Sequence, residues 1–383
     1  MNLKEVEIKD AFDVVSGSTP SSTVEEYWTN GSIKWITPTD LSKLKSPFIK
    51  NTARRITDKG LKNCSANLIP RNSIIISTRA PIGYVAVLKD EMTCNQGCKA
   101  LVAKNGNIDS VFAYYLVNTK VEEMKRLGSG STFKEISKAK LETIKIHLPD
   151  LKTQQKIAGI LEQADAARQK RKQANQLTEA FLQSAFLEMF GDPVRNEKGW
   201  EVKDFGEIAS IEKDTVQSHN ISDKDFYVGL EHIEKDTGNL LDYQKTSEID
   251  LKSTKFKFSS DHILYGKLRS YLNKVCFPNI SGICSTDILP IKAKDKISNK
   301  YFIGYLMKQP FFIDKATSMS NGANLPRISP KTLETFQIIL PPLPLQKKFA
   351  TLVEQVEQLQ VKQRESEKEL ENLFQSLMQR YFG

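Results

Sequence analysis

The sequence contains few of the residues that build metal sites, disulfide frameworks or membrane spans. Its five cysteines include no CxxC pair and its four histidines lie far apart, so we expect no structural zinc. An odd number of scattered cysteines predicts reduced, mostly buried thiols. No apolar run approaches the roughly 20 residues that a bilayer requires, and the N-terminus lacks the apolar core of a secretion signal. We therefore expect a cytoplasmic protein without a membrane segment.

The sequence also lacks the motifs of several enzyme classes. A P-loop needs GxxxxGK[ST], but the stretch from Gly128 continues into Phe133-Lys134. No glycine-rich cofactor fingerprint follows a predicted strand, and no Asn-Pro-Pro-aromatic motif of amino-methyltransferases occurs. Two Glu-x-Lys segments, at Glu7 and Glu201, resemble the end of a nuclease motif, but no carboxylate precedes either at a suitable spacing. We expect no catalysis by this chain.

Length and charge favour a two-domain protein with a polyanionic partner. The chain has 383 residues, and domains are typically near ~150 residues. Lysine and arginine outnumber aspartate and glutamate by 55 to 46. An excess of positive charge is compatible with nucleic-acid binding, although charge alone is a weak signal.

Two stretches of the chain have the heptad spacing of paired helices. They lie 192 positions apart, and even their polar middle positions correspond. Each stretch has two core positions per heptad. In the later stretch the first core position holds Phe349, Val356, Gln363, Leu370 and Leu377, and the second holds Leu352, Leu359, Ser366 and Leu373. In the earlier stretch the matching residues are Ile157, Ala164, Arg171, Thr178 and Ala185 at the first position, and Ile160, Ala167, Ala174 and Phe181 at the second.

The segments before these helices also repeat. Arg79, Val85 and Cys94 precede Arg269, Val275 and Cys284 by a constant 190 positions. From Gly130 to Ala158 the spacing is 192, and 13 residues are identical to their counterparts in the stretch from 322 to 350. This pattern indicates an internal duplication.

The duplication predicts mixed α/β architecture. Each half is expected to be a globule that ends in a strand, a proline-containing bend and a long helix. Helices with the aromatic sets at 112, 115 and 116 and at 302, 305 and 306 should pack these residues into the cores. The predicted domains are residues 1–150, a spacer helix at 151–192, residues 193–342 and a C-terminal helix at 343–383.

With these features together, the chain resembles the specificity subunit of a type I restriction-modification enzyme. The resemblance rests on the tandem duplication, on the Leu-Pro segments that lead through Gln154 and Gln346 into the helices, and on TCNQG at 93–97 and CSTD at 284–287. The family usually has Glu-Gln ahead of the helix, where this chain has Thr153-Gln154 and Leu345-Gln346. This departure weakens a methylase-contact assignment at that point.

The resemblance implies two target-recognition domains related by a pseudo-twofold axis, with two long antiparallel coiled-coil helices between them. It implies a non-catalytic DNA-reading role for this chain. The partners implied are double-stranded DNA, two DNA adenine methyltransferase subunits, and restriction (translocase) subunits. S-adenosylmethionine, ATP and Mg²⁺ would belong to those partners.

Antiparallel pairing of two repeats predicts a spacer of fixed length. It should bring Arg171 and Gln363 close together near the middle of the seam, where a polar layer fixes register. Thirty-odd residues at ~1.5 Å each span about 50 Å, or about 15 base pairs at ~3.4 Å each. We therefore predict a split target with an unread gap, and different half-sites because the recognition loops differ.

Arg79 and Arg269 are the strongest candidates for base reading, because each follows a buried strand and an arginine can bond both O6 and N7 of guanine. Either could equally be an ordinary surface arginine. The other candidate DNA contacts are Lys34, Ser77, Thr78, Lys99, Lys125, Arg126, Gly130, Ser131 and Thr132 in the first half, and Lys255, Lys257, Lys267, Tyr271, Lys274, Asn321, Asn324 and Arg327 in the second. The loops could also be plain turns, and Tyr271 could pack within its own domain.

Three other functions stay open at this point. The chain could belong to a related type II enzyme with a bipartite site, it could be a coiled-coil adaptor that binds only protein, or it could cut or methylate DNA alone. Salt-sensitive DNA affinity separates a DNA reader from an adaptor, because neutralising phosphates releases counterions.

Overall fold

The computed structural model describes residues 4–130, 134–222 and 225–383. Contacts divide the chain into two compact units. Unit 1 is Met1–Lys170 with Glu367–Gly383, and unit 2 is Arg171–Ser366. The boundary between the units therefore crosses both long helices. No helix within the described ranges is long and apolar enough to cross a membrane.

The first half of the chain contains ten strands and seven α-helices among the described residues. The strands are β1 (Lys4–Glu7), β2 (Phe12–Ser16), β3 (Ile33–Ile36), β4 (Phe48–Ile49), β5 (Arg54–Ile56), β6 (Ile74–Thr78), β7 (Ile82–Leu88), β8 (Thr93–Cys94), β9 (Cys98–Ala103) and β10 (Lys145–Leu148). The helices are α1 (Ile8–Ala11), α2 (Pro38–Ser42), α3 (Asp58–Lys62), α4 (Ser110–Thr119), α5 (Val121–Leu127), α6 (Lys138–Glu142) and the long α7 (Leu151–Phe190).

The second half repeats this plan. Its strands are β11 (Glu201–Asp204), β12 (Ala209–Ile211), β13 (Thr215–Val216), β14 (Phe226–Val228), β15 (Gln244–Lys245), β16 (Lys255–Phe258), β17 (His262–Gly266), β18 (Val275–Cys276), β19 (Gly282–Cys284), β20 (Ile288–Ala293) and β21 (Gln337–Leu340). Its helices are α8 (Phe205–Ile208), α9 (Lys300–Met307), α10 (Pro310–Ser318), α11 (Pro330–Glu334) and the long α12 (Leu343–Phe382).

The sheets of the two units share a topology. Unit 1 has a sheet of order β2-β9-β6-β7-β4, and unit 2 has β12-β20-β17-β18. A smaller sheet in unit 1, β5-β3-β8, corresponds to the β15-β14-β19 part of a five-stranded sheet in unit 2. In both, the middle strand pairs antiparallel with one neighbour and parallel with the other. Common topology supports the internal duplication.

The central strand of each larger sheet is buried on both faces. In β6, Ile74 and Ile76 belong to the core that also contains Phe112 of α4, while Ile75 faces the core under the smaller sheet. Strand β17 does the same, with Tyr265 in one core and Leu264 in the other. Successive strand residues point to opposite faces, so a continuous apolar run feeds two cores. Each larger sheet is thus covered by helices on one side and by the smaller sheet on the other.

The predicted aromatic helix faces are confirmed. Phe112, Tyr115 and Leu116 are buried in unit 1, and Phe302, Tyr305 and Leu306 in unit 2. Asp109 caps the N-terminus of α4, and its side chain accepts hydrogen bonds from two backbone N–H groups of the first turn. Asn299 caps α9 and accepts one such bond, from Tyr301 N.

Four of the five cysteines are buried, and all five are unpaired. Burial raises the pKa of the Cys94 and Cys276 thiols to about 12. The thiols are therefore protonated at neutral pH and pack as small apolar groups. Among the described residues, no group of three or more His, Cys, Asp or Glu side chains is arranged to hold a metal ion.

The helix pair in unit 2 is antiparallel, as the resemblance implied. Thr178 of α7 bonds Gln363 of α12, whereas Phe190 of α7 packs 5.4 Å from Phe349, centroid to centroid. Residue numbers therefore rise along one helix as they fall along the other. Gln363 is 6% exposed and donates its Nε2 hydrogen to Thr178 Oγ1 at 3.1 Å.

Gln363 does not have the partner predicted from the sequence. Its partner, Thr178, lies two helical turns beyond Arg171. Equivalent residues of an antiparallel repeat pair face each other only at the midpoint, and Gln363 lies almost one turn from that point. Because the two helices run in opposite directions, the displacement of Gln363 from the midpoint is doubled at its partner. The partner, Thr178, therefore lies about two turns from Arg171.

On the long helices, buried residues of the second core position lie one residue later in the sequence than predicted. The predicted seam residues Phe181, Leu359 and Leu373 are about half exposed, whereas Leu182 and Phe374 are buried in the cores. The other predicted seam residues, Ile157, Ile160, Ala164, Arg171, Phe349, Leu352, Val356, Gln363, Leu370 and Leu377, are buried or partly buried. Each long helix packs against a globular core as well as against the other helix. Its apolar face is therefore rotated relative to the face that a helix pair alone would bury.

A glutamine fixes the start of each long helix. Gln154 donates to the Pro149 carbonyl at 2.9 Å and accepts from the backbone of Asp109 at 3.0 Å. Gln346 makes the same two contacts, to Pro341 at 2.7 Å and Asn299 at 2.9 Å. Both side chains are at most 2% exposed. The glutamine of the shared motif therefore ties helix, bend and globule together.

Candidate nucleic-acid interface

Unit 1 contains an open cavity of about 560 Å³ between the two strand systems. The ends of β3 and β8, the start of α2, strand β5 and the loop after β6 all contribute to it. Its lining residues are Trp35, Thr37, Pro38, Thr39, Asp40, Lys43, Ala53, Arg54, Arg79, Ala80, Asn95 and Gly97. Of these residues, Arg79 is predicted from the sequence as a DNA contact, whereas Lys43, Arg54 and Asn95 are not.

Arg79 lies in this cavity and is 40% exposed at its side chain. A Cβ placed at Gly97 would come within 3.2 Å of Pro38 and Asn95, and 3.6 Å from Cγ of Arg79. Glycine at this position therefore allows Pro38 and Asn95 to lie close together beside the Arg79 side chain. Its guanidinium forms an ion pair with Glu135 at 3.9 Å, and the part of the chain that the structure describes gives it no other side-chain partner, which leaves most of its donors for a ligand.

The cavity is positively charged. Among the described residues that line it, Asp40 is the one acid, against Lys43, Arg54 and Arg79. The Asp40 carboxylate is already used within the fold. It accepts from the backbone N–H of Thr37 and of Ala53, both at 2.9 Å. The remaining cations favour an anionic or carbonyl-rich ligand.

The smaller side chains beside Arg79 are structural. Ser77 and Thr78 are fully buried. Ser77 donates to the Pro81 carbonyl at 2.8 Å and accepts from Tyr84 N, while Thr78 donates to the Gly97 carbonyl at 3.2 Å. Both hydroxyls hold the Arg79 loop in shape, and their burial argues against the predicted DNA contact.

Two predicted phosphate contacts are also engaged inside unit 1. Lys99 is 5% exposed and donates to Thr78 and to the Ile136 carbonyl at 3.2 and 3.1 Å. Lys34 donates to the Lys50 carbonyl at 2.7 Å and pairs with Asp90. A duplex outside the fold would have to displace these partners, so both lysines stabilise the fold instead.

The predicted loop after α5 lies beside the Arg79 loop. Ser129 and Glu135 exchange two backbone hydrogen bonds of 3.0 and 2.9 Å, and Gly130 is exposed at the turn with φ of 129°. The predicted contacts Ser131 and Thr132 lie outside the described residues. Just before the loop, Lys125 and Arg126 are exposed, and Lys125 pairs with Glu122 at 2.6 Å.

Unit 2 presents Arg269 at the equivalent place. The residue is exposed, has a left-handed backbone with φ of 54°, and donates its backbone N–H to the Pro326 carbonyl at 2.8 Å. Tyr271 is 48% exposed and Leu325, in the adjoining loop, is 45% exposed. Asn324 is exposed in the same loop. Two adjoining loops thus present four exposed side chains that suit base-edge or sugar contacts.

An ion pair closes the second loop. Arg327 donates from Nε and Nη2 to the two carboxylate oxygens of Asp287, at 2.9 and 3.2 Å. This guanidinium holds the pKa of Asp287 below its usual range. Asn321 and Arg327 exchange two backbone hydrogen bonds of 2.9 Å. The position in unit 1 that matches Arg327 carries the opposite charge, Glu135, which pairs with Lys99 at 3.3 Å. Arg327 therefore holds this loop against Asp287, and we call the Arg327–Asp287 ion pair the loop latch.

The predicted lysines of unit 2 differ in access. Lys255 is 5% exposed, and Lys274 donates to the Leu230 carbonyl at 2.6 Å. Desolvation lowers the pKa of both. Lys257 is 55% exposed at its side chain and pairs with Asp214 at 3.5 Å, and Lys267 is half-buried. Of these four, Lys257 best suits a phosphate contact.

The two units build this region on the same backbone with different side chains. Trp35 of β3 lies opposite Arg54, whereas Tyr227 of β14 lies opposite Gln244. The helical turn after each strand is capped alike, by Asp40 in unit 1 and by His232, which accepts from Gly229 N at 3.0 Å, in unit 2. The duplicated scaffold is kept while its exposed chemistry has changed.

Comparison with known proteins identifies the duplicated unit. The family model described as the type I restriction modification DNA specificity domain matches twice, over residues 2–179 and 197–372. The chain belongs to the family of type I restriction-modification specificity subunits. The two matches confirm the duplication inferred from the sequence, and they make each repeat one target-recognition domain of this family.

A specificity-subunit relative and two solved structures agree. The specificity subunit of type I restriction enzyme MjaIX from Methanocaldococcus jannaschii is 32% identical over 91% of this chain and 85% of its own length. A crystal structure of a type I restriction-modification S subunit from M. genitalium has a TM-score of 0.60 at 15% identity, covering 100% of this chain and 96% of that one. A structure titled for complex assembly and conformational transition of the type I system has a TM-score of 0.55 at 17% identity, covering 99% and 97%. At these identities the structures show a shared fold.

Proposed function

We propose that this specificity subunit reads a split, asymmetric DNA target, with unit 1 on one half-site and unit 2 on the other. One observation carries the proposal. The two units have the same sheet topology, and each presents a solvent-accessible arginine after its central strand, partly exposed at Arg79 and exposed at Arg269, yet the side chains around the two arginines differ. A shared scaffold with different contacts suits two different half-sites.

The cavity of unit 1 suits base reading in a groove. An arginine that contributes two parallel N–H donors recognises O6 and N7 of guanine. Arg79 has donors available at the cavity mouth, and the exposed Arg126 lies on the helix that leads into the adjoining loop. Sequence-independent affinity would come from such surface cations through phosphate contacts.

The paired helices would set the spacing between half-sites. Each helix has 40 residues, a length of about 60 Å at ~1.5 Å per residue or about 18 base pairs of duplex. Readers held on such a spacer would contact half-sites about one helical turn apart on one face of DNA. The bases between would be left unread.

The chain itself would be non-catalytic and would act through partners. Two DNA adenine methyltransferase subunits and restriction (translocase) subunits would bind it and would carry S-adenosylmethionine, ATP and Mg²⁺. Exposed apolar side chains on the long helices of unit 2 support a protein partner: Leu177 is 62% exposed, Phe181 51% and Leu359 49%. Apolar patches of this kind mark association surfaces.

Sequencing of methylated positions tests the proposal directly. DNA from a host that carries this chain and its methyltransferase should be methylated at one two-part motif with a fixed gap. The matched control is the same host with the methyltransferase alone, which should leave that motif unmodified. A single continuous motif, or methylation that does not depend on this chain, would contradict the proposal.

A binding series addresses the alternatives. The full chain, with and without methyltransferase, should lose affinity for random duplex steeply as salt rises from 50 to 200 mM, by about 10³-fold if six phosphates are neutralised. A coiled-coil adaptor would show no such affinity. A type II enzyme would recognise the same kind of target but would cleave at a fixed position relative to it.

A further inference from the structure

Arg54 is held on two indole rings at the edge of the unit 1 cavity. Its guanidinium carbon lies 3.8 Å from the ring centroid of Trp28 and 5.2 Å from that of Trp35. Strand pairing places Arg54 directly opposite Trp35. Cross-strand neighbours share one face of a sheet, so this contact follows from the backbone register.

Both rings are fixed by the fold. Trp35 is 3% exposed and donates its indole N–H to the Ser18 carbonyl at 3.0 Å. Trp28 donates to the Ser21 carbonyl at 2.9 Å and meets Trp35 edge to face, with centroids 5.1 Å apart. The platform beneath Arg54 is therefore rigid, and the arginine has lost much of its side-chain freedom before any ligand arrives.

The donors of Arg54 are left for a ligand. Arg54 is exposed and lines the same cavity as Arg79. Within the described residues, its guanidinium has no hydrogen bond and no ion pair. Stacking uses the flat face of a guanidinium, while its five N–H groups point outward in the plane. A stacked arginine therefore presents a fixed fork of donors.

We propose that Arg54 is a second base-reading residue of unit 1, and that it recognises a guanine in the half-site of that unit. The assignment rests on the proposed function. A pre-positioned planar fork matches O6 and N7 of guanine, whereas a phosphate contact needs only a mobile charge. The corresponding position in unit 2, across the strand pair from Tyr227, carries Gln244. A glutamine side chain pairs with adenine. Arg54 thereby adds a guanine requirement that the second half-site lacks at the corresponding place.

Selection from a randomised duplex library tests this assignment with the full chain and its methyltransferase. The variants are Arg54→Lys, which keeps the charge and can still make a cation–π contact but lacks the planar fork, and Arg54→Gln, which copies unit 2. The matched control is Arg55→Ala. Arg55 is the next residue on β5, where side chains alternate between faces, and it reaches the Ser32 carbonyl at 3.4 Å. Melting temperatures check that every variant is folded.

Wild type should enrich two half-sites. Arg54→Lys should lower discrimination at one guanine of one half-site by about 10- to 100-fold, with random-duplex affinity and the other half-site unchanged. Arg54→Gln should also lose the guanine preference there, and Arg55→Ala should keep it. A folded Arg54→Lys protein with the wild-type motif would overturn the inference alone. A wild type that enriches no motif would overturn the proposed function and this inference with it.

Discussion

Replacing Phe374 by alanine should destabilise unit 1, because this side chain docks the end of α12 into a core made by the other end of the chain. Phe374 is 8% exposed. It meets Tyr115 edge to face at 6.0 Å between centroids, and the Arg168 guanidinium lies 4.2 Å from its ring. The neighbouring Leu373, which the heptad pattern placed in the seam, is 51% exposed.

The expected magnitudes differ enough to measure. Truncating a buried phenylalanine costs about 3 to 5 kcal/mol, a shift of about 10 °C in the melting temperature of a unit this size. Leu373→Ala removes a half-exposed side chain and should cost no more than about 1 kcal/mol. The seam predicted from the sequence would reverse this order, so the pair of variants tests the register of the helix.

The assay uses tryptophans as reporters of each unit. The chain has three tryptophans, of which Trp28 and Trp35 lie in unit 1 and Trp200 lies in unit 2. In a Trp200→Phe background, urea unfolding followed by fluorescence reports unit 1. Phe374→Ala should move that transition to lower urea, while Leu373→Ala leaves it nearly in place. Equal effects of the two variants, or a larger effect of Leu373→Ala, would refute the packing described here.

Three further predictions concern recognition and the loop latch. Arg79→Ala should reduce discrimination at one half-site by about 1 to 3 kcal/mol and leave the other unchanged in library selection; an unchanged motif would remove Arg79 from the site. Because Arg327 lowers the folded pKa of Asp287, the latch stabilises unit 2 above the unfolded pKa of about 4, and this stabilisation is lost as pH falls through the folded pKa. Asp287→Asn should therefore make the stability of unit 2 less sensitive to pH as pH falls below about 4, followed by Trp200 fluorescence, and an acid response as steep as wild type would count against the latch. Inserting one heptad in each long helix should lengthen the tolerated gap by about 3 base pairs, and a fixed gap would exclude the spacer as the ruler.

Some features of the fold follow from local sequence patterns. The aromatic sets of α4 and α9 and the runs at Ile74–Ile76 and Ile263–Tyr265 predict their own burial, because helical and strand periodicity place these residues on defined faces. The constant spacing between repeats predicts a common topology, since residues that match in order tend to occupy matching positions.

Contacts between distant residues could not be read in this way. The sequence suggested Ser77 and Thr78 as DNA contacts because they precede Arg79 in the same loop, and Lys99 as a phosphate contact because of its charge, but the folded chain turns all three inward. Arg54 carried no signal beyond its charge. Its role depends on a strand register that joins it to Trp35 and on a separate loop that brings Trp28 over it.

By itself, the sequence determined that the chain contains an internal duplication, where its long helices lie, and that an arginine follows the central strand in each repeat. These properties follow from the periodicity of residues and from the spacing between the repeats along the chain. Tertiary structure decided which lysines remain accessible, which face of each helix is buried, and which arginine is stacked on tryptophan. Each of these depends on what a residue meets across the fold, where hydrogen-bond partners and neighbouring side chains come from segments far away in the chain.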